Sequence, residues 1–248
     1  MDHFVGFRRL RADPEGLTKL GVGSLLLLSA MLVPFVGQIA LRGWTALMVR
    51  RTTMEPEAPL PRLDLDLDYI GKLFGTGFKG FLISMLWSLP IALVLAPGII
   101  CLVFGAVFAM SQSGDDPKAL LCLFGAGVPV LVVLGLLLAL PAQIAGMRAE
   151  IADDFGPGLK FGEVLHATRL VFREALTATL VLGVVQAVLL PLSMLLCYLP
   201  LFPVAVAMMV AHAHVAGQLH RLSIERGAVP VAIGPTDFPK PGQPALPG

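Results

Sequence analysis

Carboxylates are kept out of the hydrophobic sequence of this chain. No Asp or Glu lies inside any of its long apolar blocks, which removes the buried acid that proton- or sodium-coupled carriers commonly use. Between Phe81 and Met147 the only ionisable side chains besides two cysteines are Asp115, Asp116 and Lys118, gathered in one polar break. Cysteine is also scarce. Cys101, Cys122 and Cys197 lie within or beside apolar blocks without metal-ligand spacing, so they read as small core residues, with no disulfide framework and no metal implied. A formal net charge of +1 gives no global field to recruit nucleic acid. No nucleophile has an evident base: Ser24, Ser29, Ser84, Ser88 and Ser193 sit in apolar segments without a helical Ser–His or Ser–Lys partner. The chain is therefore expected to be non-enzymatic and to need no cofactor.

Apolar sequence is what remains. Hydrophobic residues make up 56% and charged residues 14% of 248, and the mean hydropathy is +0.82. A hydrocarbon core about 30 Å thick is crossed by roughly 20 apolar helical residues. Blocks at about 20–49, 81–110, 119–147, 175–196 and 201–217 meet or approach that length. The fold class is all-α: a polytopic helical membrane protein of five to six apolar helices arranged as hairpins. The N-terminal residues 1–19 read as a cytoplasmic tail. Although Arg8, Arg9, Arg11 and Lys19 resemble the start of a signal peptide, the hydrophobic run continues past Ser29-Ala30 to Arg50-Arg51, which favours a retained segment. Prolines should bend or break the second block at Pro90 and Pro97. Residues 223–248, with Pro230, Pro235, Pro239, Pro241, Pro244 and Pro247, should form a largely disordered tail.

Two polar segments share a design. In 69–80, Tyr69, Ile70, Leu73, Phe74 and Phe78 fall on one helical face; in 159–174, Phe161, Val164, Leu165 and Phe172 form a stripe opposite His166, Arg169 and Arg173. Each predicts an amphipathic helix at the membrane surface that then turns into a span. The repeated pattern, and the echo of Gln38-Ile39-Ala40 in Gln143-Ile144-Ala145, suggest an internal duplication. Orientation follows from the retention of positive charge on the cytoplasmic side. Five simple spans would divide the basic residues 13 to 5, whereas a first block folded back at Pro34 divides them 17 to 1. The hairpin gives the cleaner asymmetry and puts both termini in the cytoplasm, although each arm is short for a span.

The stretch Pro34, Gly43-Trp44, Arg50-Arg51, Leu60-Pro61, an acidic patch and then Ile70-Gly71-Lys72-Leu73-Phe74 before Pro90 resembles the prokaryotic membrane family catalogued as domain of unknown function 4013. Members of that family carry a glycine-aromatic pair, an arginine-rich exit, a Leu-Pro followed by acids, and a glycine-containing amphipathic entry. Ala216-Gly217-Gln218-Leu219-His220-Arg221-Leu222 is similar to the family's C-terminal span exit, so the likeness runs from about Leu20 to Leu222. Trp44 stands where Tyr is usual, and Arg62-Leu63 where an aromatic commonly follows. The resemblance implies the architecture and no activity.

Ionisable groups at membrane depth cost about 2.5–3.5 kcal/mol at mid-bilayer, so the few present are candidates for function. Arg42, one turn from Gln38, can pair with an anionic headgroup or snorkel to the interface beside Trp44. His212, His214 and His220 include no i, i+4 pair and so suit helix packing better than a metal. Asp64, Asp66 and Asp68 start like a calcium loop, but Tyr69 and Gly75 occupy the positions that need Gly and Glu. Gln38, Arg42, Gln143, Gln186, His212 and His214 are the candidate binding residues. The expected role is a lipid- or protein-interacting subunit of a bacterial inner membrane, with membrane lipids, a membrane-protein partner or a second copy as partners. A hydrated cavity converging on the first five of those residues would favour a transporter or permease component. Clustered Ser, His and carboxylate groups would favour an intramembrane enzyme acting on lipid.

Overall fold

The computed structural model describes residues 1–29, 33–56, 58–112, 118–195 and 200–238. In chain order the helices are α1 (Val5–Ala12), α2 (Gly16–Ser29), α3 (Val36–Met54), α4 (Leu67–Gln112), α5 (Lys118–Ala152), α6 (Gly156–Leu159), α7 (Phe161–Leu170), α8 (Phe172–Leu195) and α9 (Leu201–Glu225). Among the described residues, four stretches are long and apolar enough to cross a membrane: Leu67–Val107, Gly125–Ala152, Phe172–Leu195 and Leu201–Glu225. The chain is an all-α, multi-pass membrane protein. Residues 113–117, which hold the polar break, and residues 196–199 lie outside the described residues.

The first apolar block is two helices. At 1.5 Å per residue, the 14 residues of α2 reach only about 21 Å, short of the hydrocarbon thickness. Pro34 precedes Phe35, which sits in the left-handed region at φ 72° and starts α3. The two arms then pack so closely that a Cβ on Gly37 would fall 1.7 Å from the Leu26 carbonyl oxygen. Residues 1–19, expected to be a tail, are docked: α1 lies on α9, with Gly6 against the Ala211 backbone and Leu10 buried. Asp2 and Gln218 exchange hydrogen bonds at 3.0 and 3.1 Å.

Helix α3 is the hub. Leu41, Trp44, Ala46 and Leu47 are fully buried, as in a helix covered on all sides. It runs antiparallel to the start of α4 through a mutual glycine contact. A Cβ on Gly43 would meet the Leu73 carbonyl oxygen at 1.8 Å, and one on Gly77 the Ile39 carbonyl oxygen at 1.9 Å. The amphipathic segment 69–80 is therefore no separate surface helix. Its buried residues Tyr69, Leu73, Thr76, Gly77 and Gly80 face protein, while Asp68, Lys72, Gly71 and Gly75 lie on its more open side. An apolar stripe requires a cover, and here the cover is α3. The second segment spans α7 and the start of α8. Val164, Ala167, Thr168 and Val171 turn inward, and Phe161, Leu165 and Phe172 remain exposed beside His166, Arg169 and Arg173. Helix α4 continues through Pro90 and Pro97 without a break, as membrane helices can when neighbouring groups satisfy the backbone. It pairs antiparallel with α5, Gly80 lying against Glu150, Gly146 against Ser84 and Gly127 against Leu102.

The polar ends of α3, α5 and α9 gather at one face, where two buried arginines tie them. Arg50 is wholly buried and donates to the Glu150 carbonyl at 2.7 Å, the Pro235 carbonyl at 2.8 Å and the Asp153 carboxylate at 3.1 Å. Arg148 donates to the Val229 carbonyl at 3.1 Å and Glu163 at 2.6 Å. The acceptors include the segment expected to be a disordered tail. After Gly227 turns the chain at φ 100°, residues 228–238 run as an extended strap, with Gly234 N–H bonded to the Ile151 carbonyl at 2.8 Å and Phe238 edge-on to Tyr69. The strap is ordered because its free carbonyls satisfy buried guanidinium donors. The remaining ten residues, 239–248, lie outside the described residues.

Burial pushes the Asp153 carboxyl up, but hydrogen bonds and charge from Lys79 and Arg50 together hold it below the usual carboxylate range. A lowered folded value stabilises the protein above the unfolded value of about 3.9, and that contribution is lost as pH falls through the folded value. Asp153→Asn should cost about 2 kcal/mol at pH 7, and the difference from wild type should shrink below about pH 4. Thermal unfolding in detergent, followed by tryptophan fluorescence across pH, measures both. Sidedness is tested separately in a background without Cys101, Cys122 and Cys197. Cysteines at the exposed positions Arg8, Asp66 and Glu225 should all react with an impermeant maleimide from the same membrane side. A single crossing by the first block would separate Arg8 from Asp66.

Candidate functional site

Three helices that approach the same membrane face line an open cavity of about 640 Å³. Helix α3 contributes Gln38, Arg42, Thr45 and Val49, one stripe at i, i+4, i+7 and i+11. Gln143, Met147 and Glu150 come from α5, and Met209, His212, Ala213 and Ala216 from α9, with Leu27 and Phe81 at the margin. Most of this lining is apolar. Its polar side is organised by Arg42, whose Nε donates to Glu150 Oε1 at 2.6 Å and whose Nη2 donates to Ser84 Oγ at 2.5 Å. Glycine makes room for the pair, because a Cβ on Gly80 would lie 2.6 Å from Glu150 Oε1 and one on Gly146 3.1 Å from Arg42 Nη2.

Three of the remaining polar groups have hydrogen-bond partners in the protein. Thr45 donates its hydroxyl hydrogen to the Arg42 carbonyl at 2.8 Å. His212 Nδ1 lies 2.7 Å from the Met208 carbonyl. That acceptor assigns the proton to Nδ1, so in the neutral ring Nε2 is an acceptor. Gln143 Oε1 accepts from Thr179 of α8 at 3.4 Å. A smaller cavity of about 60 Å³ beside α8 shares Gln143, Met147, His212 and Ala216 with the main one. Among the described residues, Arg42 and Glu150 are the charged side chains of the lining, so the site is neutral as a whole. Pairing is what permits both charges so near the hydrocarbon.

Of the predicted residues, Gln38, Arg42, Gln143 and His212 meet at this cavity. Gln186 does not, because it is exposed on α8. His214 does not either. Two residues beyond His212, it points to another face of α9 and is buried with Nδ1 at 3.0 Å from the Val210 carbonyl. Glu150 was missed. The apolar block ends at Met147, but the helix continues to Ala152 and its last turns carry a carboxylate back to the cavity. The signal was available, since Glu150 lies at i+7 from Gln143. Its presence weakens the exclusion of coupled transport that rested on the absence of acids from the apolar blocks. Among the described residues, no three His, Cys, Asp or Glu side chains are placed to hold a metal ion. Asp64 and Asp66 instead accept from the amides of Asp66 and Asp68 at 3.2 and 3.0 Å, leading into α4. Cys101 is exposed on α4; the side chains of Cys122 and Cys197 lie outside the described residues. A Cβ added to Gly71 or Gly75 would meet nothing within 4 Å, so close packing falls instead to Gly77.

Fold and site together define a multi-pass helical membrane protein with an amphiphilic, charge-neutral cavity between helices that exit on one face. The chain belongs to the family described as protein of unknown function (DUF4013), whose family model matches residues 26–198. The match includes the cavity residues of α3 and α5 and stops before α9. No curated protein and no solved structure matches the chain.

Breaking the central ion pair one partner at a time should be more damaging than removing it whole. Arg42→Met and Glu150→Leu should each destabilise by about 3 kcal/mol, and the double variant by less than their sum, because neither charge is then left alone. Unfolding of the four proteins in one detergent provides the cycle.

Proposed function

We propose that this protein is a non-enzymatic lipid-binding subunit of a bacterial inner membrane, taking an amphiphile's polar head at Arg42 and Glu150 and part of its chain along the apolar lining. The observation that carries this reading is the cavity itself, with most of its wall apolar and its polar groups collected around one ion pair. A site of this composition complements a molecule with one polar and one hydrocarbon end. The exposed apolar faces of α4 and α8, such as Leu93 at 76% and Val188 at 62% exposure, suit a surrounding of lipid. With the first block folded back as a hairpin, 17 of the 18 basic residues would fall on one side, the asymmetry expected when that side is cytoplasmic.

The non-enzymatic part rests on the local chemistry. Ser84 accepts from a guanidinium, which cannot take up its proton, so the serine beside the ion pair has no base at that contact. A second reading, a transporter or permease component, is favoured by the convergence of Gln38, Arg42, Gln143 and His212 with Glu150.

Extraction in a gentle detergent followed by lipid mass spectrometry should find a co-purifying lipid near stoichiometric amount. Ala216→Phe, which fills the cavity from α9, should lower its occupancy about tenfold while the protein stays monodisperse. An equally lipid-free wild type, or occupancy indifferent to Ala216→Phe, defeats lipid binding at this cavity. Flux of a solute through reconstituted vesicles that Ala216→Phe abolishes would establish the transport reading instead.

A further inference from the structure

The geometry of the ion pair narrows the class of head that this site can take, an inference that rests on the lipid-binding reading. Arg42 and Glu150 meet through a single contact, Nε to Oε1, and not as a two-point fork. The second guanidinium arm, Nη2, goes to Ser84. Among the described residues, Nη1 of Arg42 and Oε2 of Glu150 have no hydrogen-bond partner in the protein, and both side chains line the cavity, so one cation and one anion are each left with hydrogen-bonding capacity there. An arginine donor suits a phosphate oxygen, and a carboxylate oxygen suits an N–H cation.

The surroundings exclude the alternatives. Among the described residues, no other Lys, Arg, Asp or Glu lines the cavity. A purely anionic head would bring its charge against Glu150, and a purely cationic one against Arg42, in a medium that screens poorly. Gln38 and Gln143 can accompany either sign, and His212 Nε2 adds an acceptor. A quaternary ammonium is disfavoured for a different reason. It has no N–H for Glu150 and is held by cages of Trp, Tyr and Phe, whereas Phe81 is the only one of those three types among the described lining residues.

We propose that the cavity selects a zwitterionic head carrying a phosphate and a primary ammonium, Arg42 holding the phosphate and Glu150 the ammonium. Phosphoethanolamine has this chemistry, attached to a lipid or as a free soluble ester.

Lipid exchange into nanodiscs of equal parts dioleoyl phosphatidylethanolamine, phosphatidylcholine and phosphatidylglycerol, followed by native mass spectrometry, tests the assignment. The wild type should retain phosphatidylethanolamine at least about fivefold over each of the other two. Glu150→Gln, nearly isosteric, should lose that preference and shift toward phosphatidylglycerol, because the repulsion of an anion is removed. Preferential retention of phosphatidylglycerol, or equal retention of the ethanolamine and choline lipids, overturns the proposal. If Glu150→Gln does not fold, the wild-type ratios alone decide. Loss of all three lipids from the wild type defeats the lipid-binding reading itself, and is distinguishable because no ratio is then obtained. Soluble glycerophosphoethanolamine is added in parallel. Displacement of bound lipid at micromolar concentration supports the head assignment and identifies a free solute as its source, whereas displacement only by lipid assigns the membrane.

Discussion

Burial of two guanidinium groups at one membrane face is the constraint on which this architecture depends. Arg50 is fully buried and Arg148 nearly so, and neither group can be discharged at any ordinary pH. Each needs several oxygen acceptors in fixed positions, and no single helix can supply them. Arg50 obtains one from the last turns of α5, one from Asp153 just beyond it and one from the strap. The α5 carbonyl that accepts is among those left without intrahelical partners, at the negative end of the helix dipole. Satisfying one arginine thus sets the register of α3 against α5 and holds the strap across both.

That register places the cavity. Close approach is concentrated on particular faces: Gly43 and Gly77 bring α3 onto α4, and Gly217 brings α9 onto Thr52 of α3. On the side where α3, α5 and α9 face one another, the larger residues are Gln, Arg, Met, Glu and His instead of glycine. Longer side chains hold the helices apart there, and the remaining space is the cavity of about 640 Å³. Tight contact on one side of α3 and separation on another follow from where glycine falls along the same helix.

Membrane class and the all-α architecture were legible in the sequence because they depend on hydrophobic length and on charge at membrane depth; of the candidate residues, Gln38, Arg42, Gln143 and His212 line one cavity. Gln38 and Gln143, noticed as an echo, do face the same space. The failures share a physical cause. Periodicity says that a stripe must be covered and does not say by what, so the start of α4 read as a surface helix when α3 covers it. Proline content marks a segment that forms no helix; it does not reveal that Pro235 and Thr236 offer carbonyls to Arg50 and Arg51. Gln186 is as polar and as deep in sequence as Gln143, but it is α8 packing that leaves it outside. Glu150 was lost by equating the end of an apolar block with the end of the helix.

The ion pair of Arg42 and Glu150 needs a reason beyond stability. Two charges removed from water gain little net free energy from each other, and apolar residues of similar volume are commonly as good or better. Arg50 and Arg148 are accounted for by the stretches of chain they join. Arg42 joins α3 to α5 as well, but Arg50 already ties those two helices through the Glu150 carbonyl and Asp153, and the pair contacts through one arm only. A pair built for cohesion would be expected to close into the two-point geometry that Arg and carboxylate favour. This one stands at the wall of a cavity with Arg42 at 29% and Glu150 at 11% side-chain exposure. Both side chains line the cavity, so the polarity left uncovered is available to whatever occupies that space.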